Sequence, residues 1–204
     1  MEHSEGTFKG DGDLELYYQR WCPPGTPKSV LAVVHGFGEH SGRYGNVVDW
    51  FVPRGYAVYA FDMRGHGHSL GKRGHFENMA LVREDVRIFL DLVRREEPDR
   101  PLFLLGHSQG GLVALNYVLH DPLGLQGVIT TGPLLEQMTI SPALVQVLKV
   151  LSKVAPGLTV EAALDVKALS RDAAVVQAYV DDPLVHGKMT LRMGTELMLS
   201  LIHI

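Results

Sequence analysis

A serine stands between two glycines at Gly106-His107-Ser108-Gln109-Gly110, directly after the apolar run Leu102-Phe103-Leu104-Leu105 and directly before a segment, 109 to 119, with helical patterning. A hydroxyl on a sharp strand-to-helix turn can attack a carbonyl, because the turn exposes its oxygen and the helix start offers N–H groups to the negative charge that forms. The glycines two residues to either side fit such a turn, where a side chain would meet backbone. The Gln109 amide, at the start of the helix, points toward the place where an oxyanion develops. The competing reading is a glycine-rich turn whose serine only caps the helix, serine being a favoured N-cap. Strand, glycines and helix in register favour the nucleophile. Neither G-x-G-x-x-G nor G-K-[ST] stands at this turn, so it carries no phosphate-binding motif.

The elements that must position Ser108 are legible around it. Val30-Leu31-Ala32-Val33-Val34, Tyr56 to Phe61, Leu102 to Leu105 and Gly127 to Thr131 are continuous apolar runs too short for helices, the pattern of strands covered on both faces. Leu14 to Trp21 reads as an outer strand closed by Pro23-Pro24-Gly25 and paired with Thr7 to Lys9. Helical segments at 43 to 53, 79 to 96 and 109 to 119 lie between the inner runs. Alternating strands and helices imply right-handed parallel crossovers, hence an α/β, doubly wound, mostly parallel sheet with its chemistry at the carboxyl ends of the strands. After Pro133 the alternation stops, and 142 to 154, 171 to 180 and 188 to 200 read as helices. The expected organisation is a core at 1–133, a helical cap at 134–199 and a short end at 200–204.

Composition bounds the function. The 204 residues are 46% hydrophobic, enough for a sizeable core, and 21% charged with a net charge of −4, which gives a nucleic-acid surface no electrostatic basis. The single cysteine, Cys22, forms no internal disulfide and reads as a small apolar filler near a strand end. The first six residues carry two carboxylates and no apolar run, unlike a signal peptide, and the most apolar window, 142 to 154, is broken by Gln146, Lys149 and Lys153. The expected location is cytoplasmic, with peripheral membrane contact open. The apolar stripe Leu144, Val145, Val147, Leu148, Val150, Leu151 and Val154 would line an acyl tunnel, touch a membrane, or be buried against its own sheet. His66 and His68, with His75 nearby, lack a credible third and fourth ligand, so the expectation is no metal and a hydrogen-bonded glycine-rich turn instead.

Three stretches then occur together in order: His35-Gly36-Phe37-Gly38-Glu39-His40-Ser41-Gly42-Arg43-Tyr44, Asp62-Met63-Arg64-Gly65-His66-Gly67-His68-Ser69 and Gly106-His107-Ser108-Gln109-Gly110-Gly111. With Leu169-Ser170-Arg171-Asp172 and Asp182-Pro183-Leu184-Val185-His186 they resemble the monoacylglycerol lipase and lysophospholipase branch of the α/β-hydrolases over nearly the whole chain. The resemblance implies hydrolysis of a monoacylglycerol or related carboxylic ester through an acyl-serine, with Ser108 as nucleophile and the amides of Phe37 and Gln109 as the oxyanion hole. It implies a small-molecule lipid ester as partner and no cofactor. His35, ahead of the nucleophile, is expected to hold its loop by hydrogen bonding, since base and carboxylate follow the serine in this fold.

One departure stands out. The later histidines are His120, His186 and His203, and His120 lies about 18 Å along the helix that Ser108 opens. His186 belongs to the cap-like segment, and Asp165, Asp172, Asp181 and Asp182 all lie in the insertion. The family's catalytic Asp and His follow two further strands, so the expectation is a C-terminally truncated chain that is itself catalytically silent. The alternative, from a different class, is a non-catalytic lipid- or protein-binding module on the same scaffold.

Overall fold

In the computed structural model, residues 1–135, 142–162 and 164–203 are described. Six strands, β1 (Glu2–Lys9), β2 (Glu15–Cys22), β3 (Ser29–Val34), β4 (Tyr56–Phe61), β5 (Leu102–His107) and β6 (Gly127–Thr131), form one sheet in the order β1-β2-β4-β3-β5-β6. β1 with β2 and β2 with β4 pair antiparallel, whereas β4, β3, β5 and β6 run parallel. The fold is that of an α/β-hydrolase core.

The parallel strands carry apolar residues on both faces because both are covered. Val30, Ala32 and Val34 join Ala57, Tyr59, Phe61, Leu102 and Leu104 beneath α2 (Met79–Glu96), α3 (Gln109–His120) and α6 (Leu191–His203). The alternate residues Leu31, Val33, Val58, Ala60 and Leu105 face α1 (Gly45–Phe51). Asn78 fixes where α2 starts, its side-chain oxygen accepting the Leu81 amide at 3.0 Å. Cys22 is half-buried at the end of β2, packed at the margin of the larger cluster.

Several boundaries differ from the sequence expectation. β1 begins at Glu2 instead of Thr7; of its eight residues only Phe8 is buried, and the solvated polar residues of this edge strand mask its alternation. The helix expected over 43 to 53 is split into α1 and flanking 3-10 turns at Ser41–Tyr44 and Val52–Arg54, and Gly55 ends it in the left-handed region at φ 87°.

Beyond β6 lie α4 (Pro142–Val154) and α5 (Ala173–Val180), but the region is not wholly helical. Lys188–Thr190, expected to open a helix, forms strand β8 antiparallel to β7 (Thr159–Glu161). Strands this short carry almost no alternation, and the pairing is tertiary. The division expected at 199/200 falls inside α6, whose Met193 and Leu197 sit in the larger core cluster. α4 packs on α6 with Ser152 buried, while Val147, Val150, Leu151 and Val154 of its apolar stripe turn outward. β6 is the sheet edge, with Val128 and Ile129 exposed. No helix among the described residues is long and apolar enough to cross a membrane.

Candidate active site

Ser108 adopts φ 51° and ψ −116°, a conformation that a side-chain-bearing residue enters at a cost on the order of 1–3 kcal/mol. Surrounding bonds hold it there. Its amide donates to the Thr131 carbonyl of β6 at 3.0 Å, and its carbonyl accepts the amides of Gly111, Leu112 and Leu134 at 3.0, 3.2 and 3.0 Å. A Cβ on Gly106 would fall on the Gly110 carbonyl, and one on Gly110 would fall on the carbonyls of Val34 and His35. The two glycines therefore let α3 start hard against the ends of β5 and β3, the close approach that raises the serine.

The loop after β3 lies beside it, since a Cβ on Gly36 would sit 3.3 Å from the Ser108 Cβ. Glu39 Oε1 braces that loop by accepting the Gly36 amide at 2.7 Å and the Tyr44 hydroxyl at 2.8 Å. His35 is buried, and its Nε2 accepts the Met63 amide at 2.9 Å, so Nδ1 carries the proton and donates to the Gly36 carbonyl at 2.7 Å. Burial holds its pKa below the ordinary value, which keeps the ring neutral. His35 is thus a loop tether. Among the described residues nothing accepts the amides of Phe37 or Gln109. The Gln109 side chain is also buried, with neither amide atom partnered among the described residues.

The glycine-rich turn after β4 is a brace of another kind. Asp62, fully buried, accepts the Ser41 amide at 2.7 Å and the His68 amide at 2.8 Å, tying this turn to the loop after β3. Its histidines diverge: His66 is buried against the Arg64 carbonyl, His68 lies exposed beside Tyr17, and His75 bonds Thr190 and Glu77.

Sequence reasoning missed how the segment 179–186 is seated. His40 Nε2 meets Asp182 Oδ2 at 2.8 Å, Arg43 lies 4.0 Å from the same oxygen and stacks over the Tyr179 ring at 4.7 Å, and the His186 amide donates to Gly38 at 2.9 Å. Burial alone would raise the Asp182 pKa, but the His40 hydrogen bond, the Leu184 amide and the nearby positive charge outweigh it and hold the carboxylate below its ordinary value. The partners are so distant in sequence that no local pattern joins them.

Residues 25–204 match the family described as Serine aminopeptidase, S33. The chain belongs to this α/β-hydrolase family. It is 42% identical to a monoacylglycerol lipase of Mycolicibacterium smegmatis over 91% of this chain and 67% of that protein, and 36% identical to a monoglyceride lipase of Mus musculus over 83% and 56%. Among solved structures, a monoacylglycerol lipase of Paleococcus ferrophilus superposes with a TM-score of 0.76 at 34% identity, covering 100% of this chain and 71% of that one. A soluble variant of monoglyceride lipase from Saccharomyces cerevisiae, in complex with a substrate analog, gives 0.83 at 25% identity, covering 96% and 67%. The chain therefore spans between about half and two thirds of these curated relatives' length. Within this α/β-hydrolase, no histidine or carboxylate among the described residues bonds Ser108: His120 bonds the Asn116 carbonyl of its own helix and His186 bonds that of Gly65. The His203 side chain lies outside the described residues.

Proposed function

We propose that this chain carries the nucleophile and oxyanion half of a serine carboxylic-ester hydrolase whose substrates are monoacylglycerols. The observation that carries the reading is Ser108, strained on the β5–α3 elbow beside a loop whose Phe37 amide, like that of Gln109, has no acceptor among the described residues. Ser108 Oγ would bond the acyl carbon and pass its proton to a base; the carbonyl electron pair would move onto the oxygen held by Phe37 and Gln109, then return to expel glycerol as the alcohol. Water would release the fatty acid by the same steps. The relatives' names supply the lipid, and the outward apolar face of α4 suits contact with a lipid surface. No base is in place among the described residues, so the 204-residue chain is expected to be silent by itself.

Labelling by a fluorophosphonate probe and hydrolysis of a monoacylglycerol test this. The comparison is between the 204-residue chain and the same chain fused to the part of the mycobacterial relative that follows its matched region. The fusion should label at Ser108 and hydrolyse, its Ser108→Ala variant should do neither, and the shorter chain should label weakly. A well-folded fusion without esterase activity would overturn the function, and stoichiometric labelling of the shorter chain would overturn its silence.

A further inference from the structure

Two imidazoles, the buried His66 and the half-buried His186, lie side by side between the cap segment and the oxyanion loop, each with a buried nitrogen that lacks a partner among the described residues. The His186 and His66 rings are 5.0 Å apart, and the Phe37 ring stands edge-on to both, at 6.1 Å from His186 and 6.4 Å from His66. His186 Nε2 faces the Gly65 carbonyl at 3.3 Å and His66 Nδ1 faces the Arg64 carbonyl at 3.0 Å. A carbonyl only accepts, so these nitrogens carry the protons, and His186 Nδ1 and His66 Nε2 are left as bare lone pairs. Both are buried without a partner among the described residues. The backbone repeats the contact: the His186 amide donates to the Gly38 carbonyl at 2.9 Å, and Gly38, at φ 70°, lies so close beneath His186 that a Cβ would strike its carbonyl oxygen.

We propose that His186 is a positioning residue whose uncharged ring latches the cap segment onto the loop carrying Phe37, and that a proton on this ring releases the latch. The inference rests on reading Phe37 as an oxyanion donor, but the latch itself can be measured without any turnover. A second proton on His186 would enter at Nδ1, a buried atom with no hydrogen-bond partner among the described residues. Of the groups facing it, Arg73 from the loop after β4 and Lys188 at the start of β8 disfavour positive charge, the backbone of Gly65 and of Lys188 favours it, and the His66 ring lies alongside. Asp182, on the same segment as His186, is already engaged by His40 and Arg43. Burial first, with the charges of Arg73 and Lys188, outweighs the two backbone groups and holds the His186 pKa below 6.5, and His66, fully buried, lies well below that value. On acidification His186 therefore charges before His66. The segment it anchors would lift, and Gly38 and Phe37 would lose their cover.

Histidine-ring NMR with amide exchange from pH 8 to 5, on the 204-residue chain, tests this. At pH 8 the His186 ring should show the neutral form protonated at Nε2, and its titration midpoint should lie below 6.5. As it titrates, protection of the His186 amide should fall roughly tenfold per pH unit after correction for intrinsic exchange. The Thr190 and Leu191 amides, bonded to Gly74 and Leu158, should stay protected longer and act as internal controls. His186→Gln, which keeps a donor of similar reach and cannot charge, should hold the position 186 amide protected across the range. A midpoint at or above 6.5, unchanged protection through the titration, or the same acid loss in His186→Gln would each overturn the proposal; His186→Phe, tested the same way, serves if the glutamine variant fails to fold.

Discussion

The His40 imidazole and the Asp182 carboxylate meet at 2.8 Å across 142 residues of chain, with side-chain exposures of only 10% and 19%. That burial separates the contact from a surface ion pair of negligible worth. Asp182→Ala should cost roughly 1–3 kcal/mol, and a double-mutant cycle with His40→Ala should return a coupling of about 1 kcal/mol or more in urea unfolding. Because the folded carboxylate titrates below 3.8, its contribution is present above that pH and lost as pH falls through the folded value. Additive single mutants would show that the pair contributes nothing.

Ser108 sits in a conformation suited to glycine. Ser108→Gly should raise stability by about 1 kcal/mol, while Ser108→Ala, which keeps the Cβ, should leave it within about 0.5 kcal/mol. Both remove the hydroxyl proposed as the nucleophile. Loss of stability in the glycine variant would show that the elbow is not strained.

Gly110 has no room for a methyl group, because the Val34 and His35 carbonyls occupy the place. Gly110→Ala should destabilise by roughly 3 kcal/mol or more, seen as insoluble expression or a collapsed melting transition. A melting temperature near the parent's would mean that the start of α3 can shift.

The buried His35 and His66 and the half-buried His186 have pKa values below 6.5, chiefly through removal from water. Unfolding lets each bind a proton at its ordinary value, so stability is full above about pH 6.5 and falls as pH drops toward the folded values. The melting temperature should decline from pH 7 to 5, before Asp182 titrates. A flat profile over that range would contradict the buried, neutral rings.

Val150 and Val154 of α4 are exposed at 61% and 79% and contribute nothing to the core. Val150→Asp with Val154→Asp should therefore leave the melting temperature unchanged and reduce co-sedimentation with phosphatidylcholine vesicles several-fold. Equal sedimentation of parent and variant would assign this face to something other than lipid.

The sequence alone determined the strand and helix order from Val30 to Thr131, because short apolar runs and a 3.6-residue stripe such as that of 79 to 96 are local signals that the covered sheet obeys. It also marked Ser108, whose elbow needs glycines at fixed spacing, and His35, whose place ahead of the serine argued for a tether over a base. Only the tertiary structure decided the rest. β7 and β8 exist through each other, the apolar stripe of α4 is divided by the helix it meets, and α6 joins the main core through Met193 and Leu197. The seat of the segment 182–186 depends on His40 meeting Asp182 and on His186 meeting Gly38. Such pairs are ordinary polar residues until folding brings them within hydrogen-bonding distance, and burial then gives them their charge state and strength.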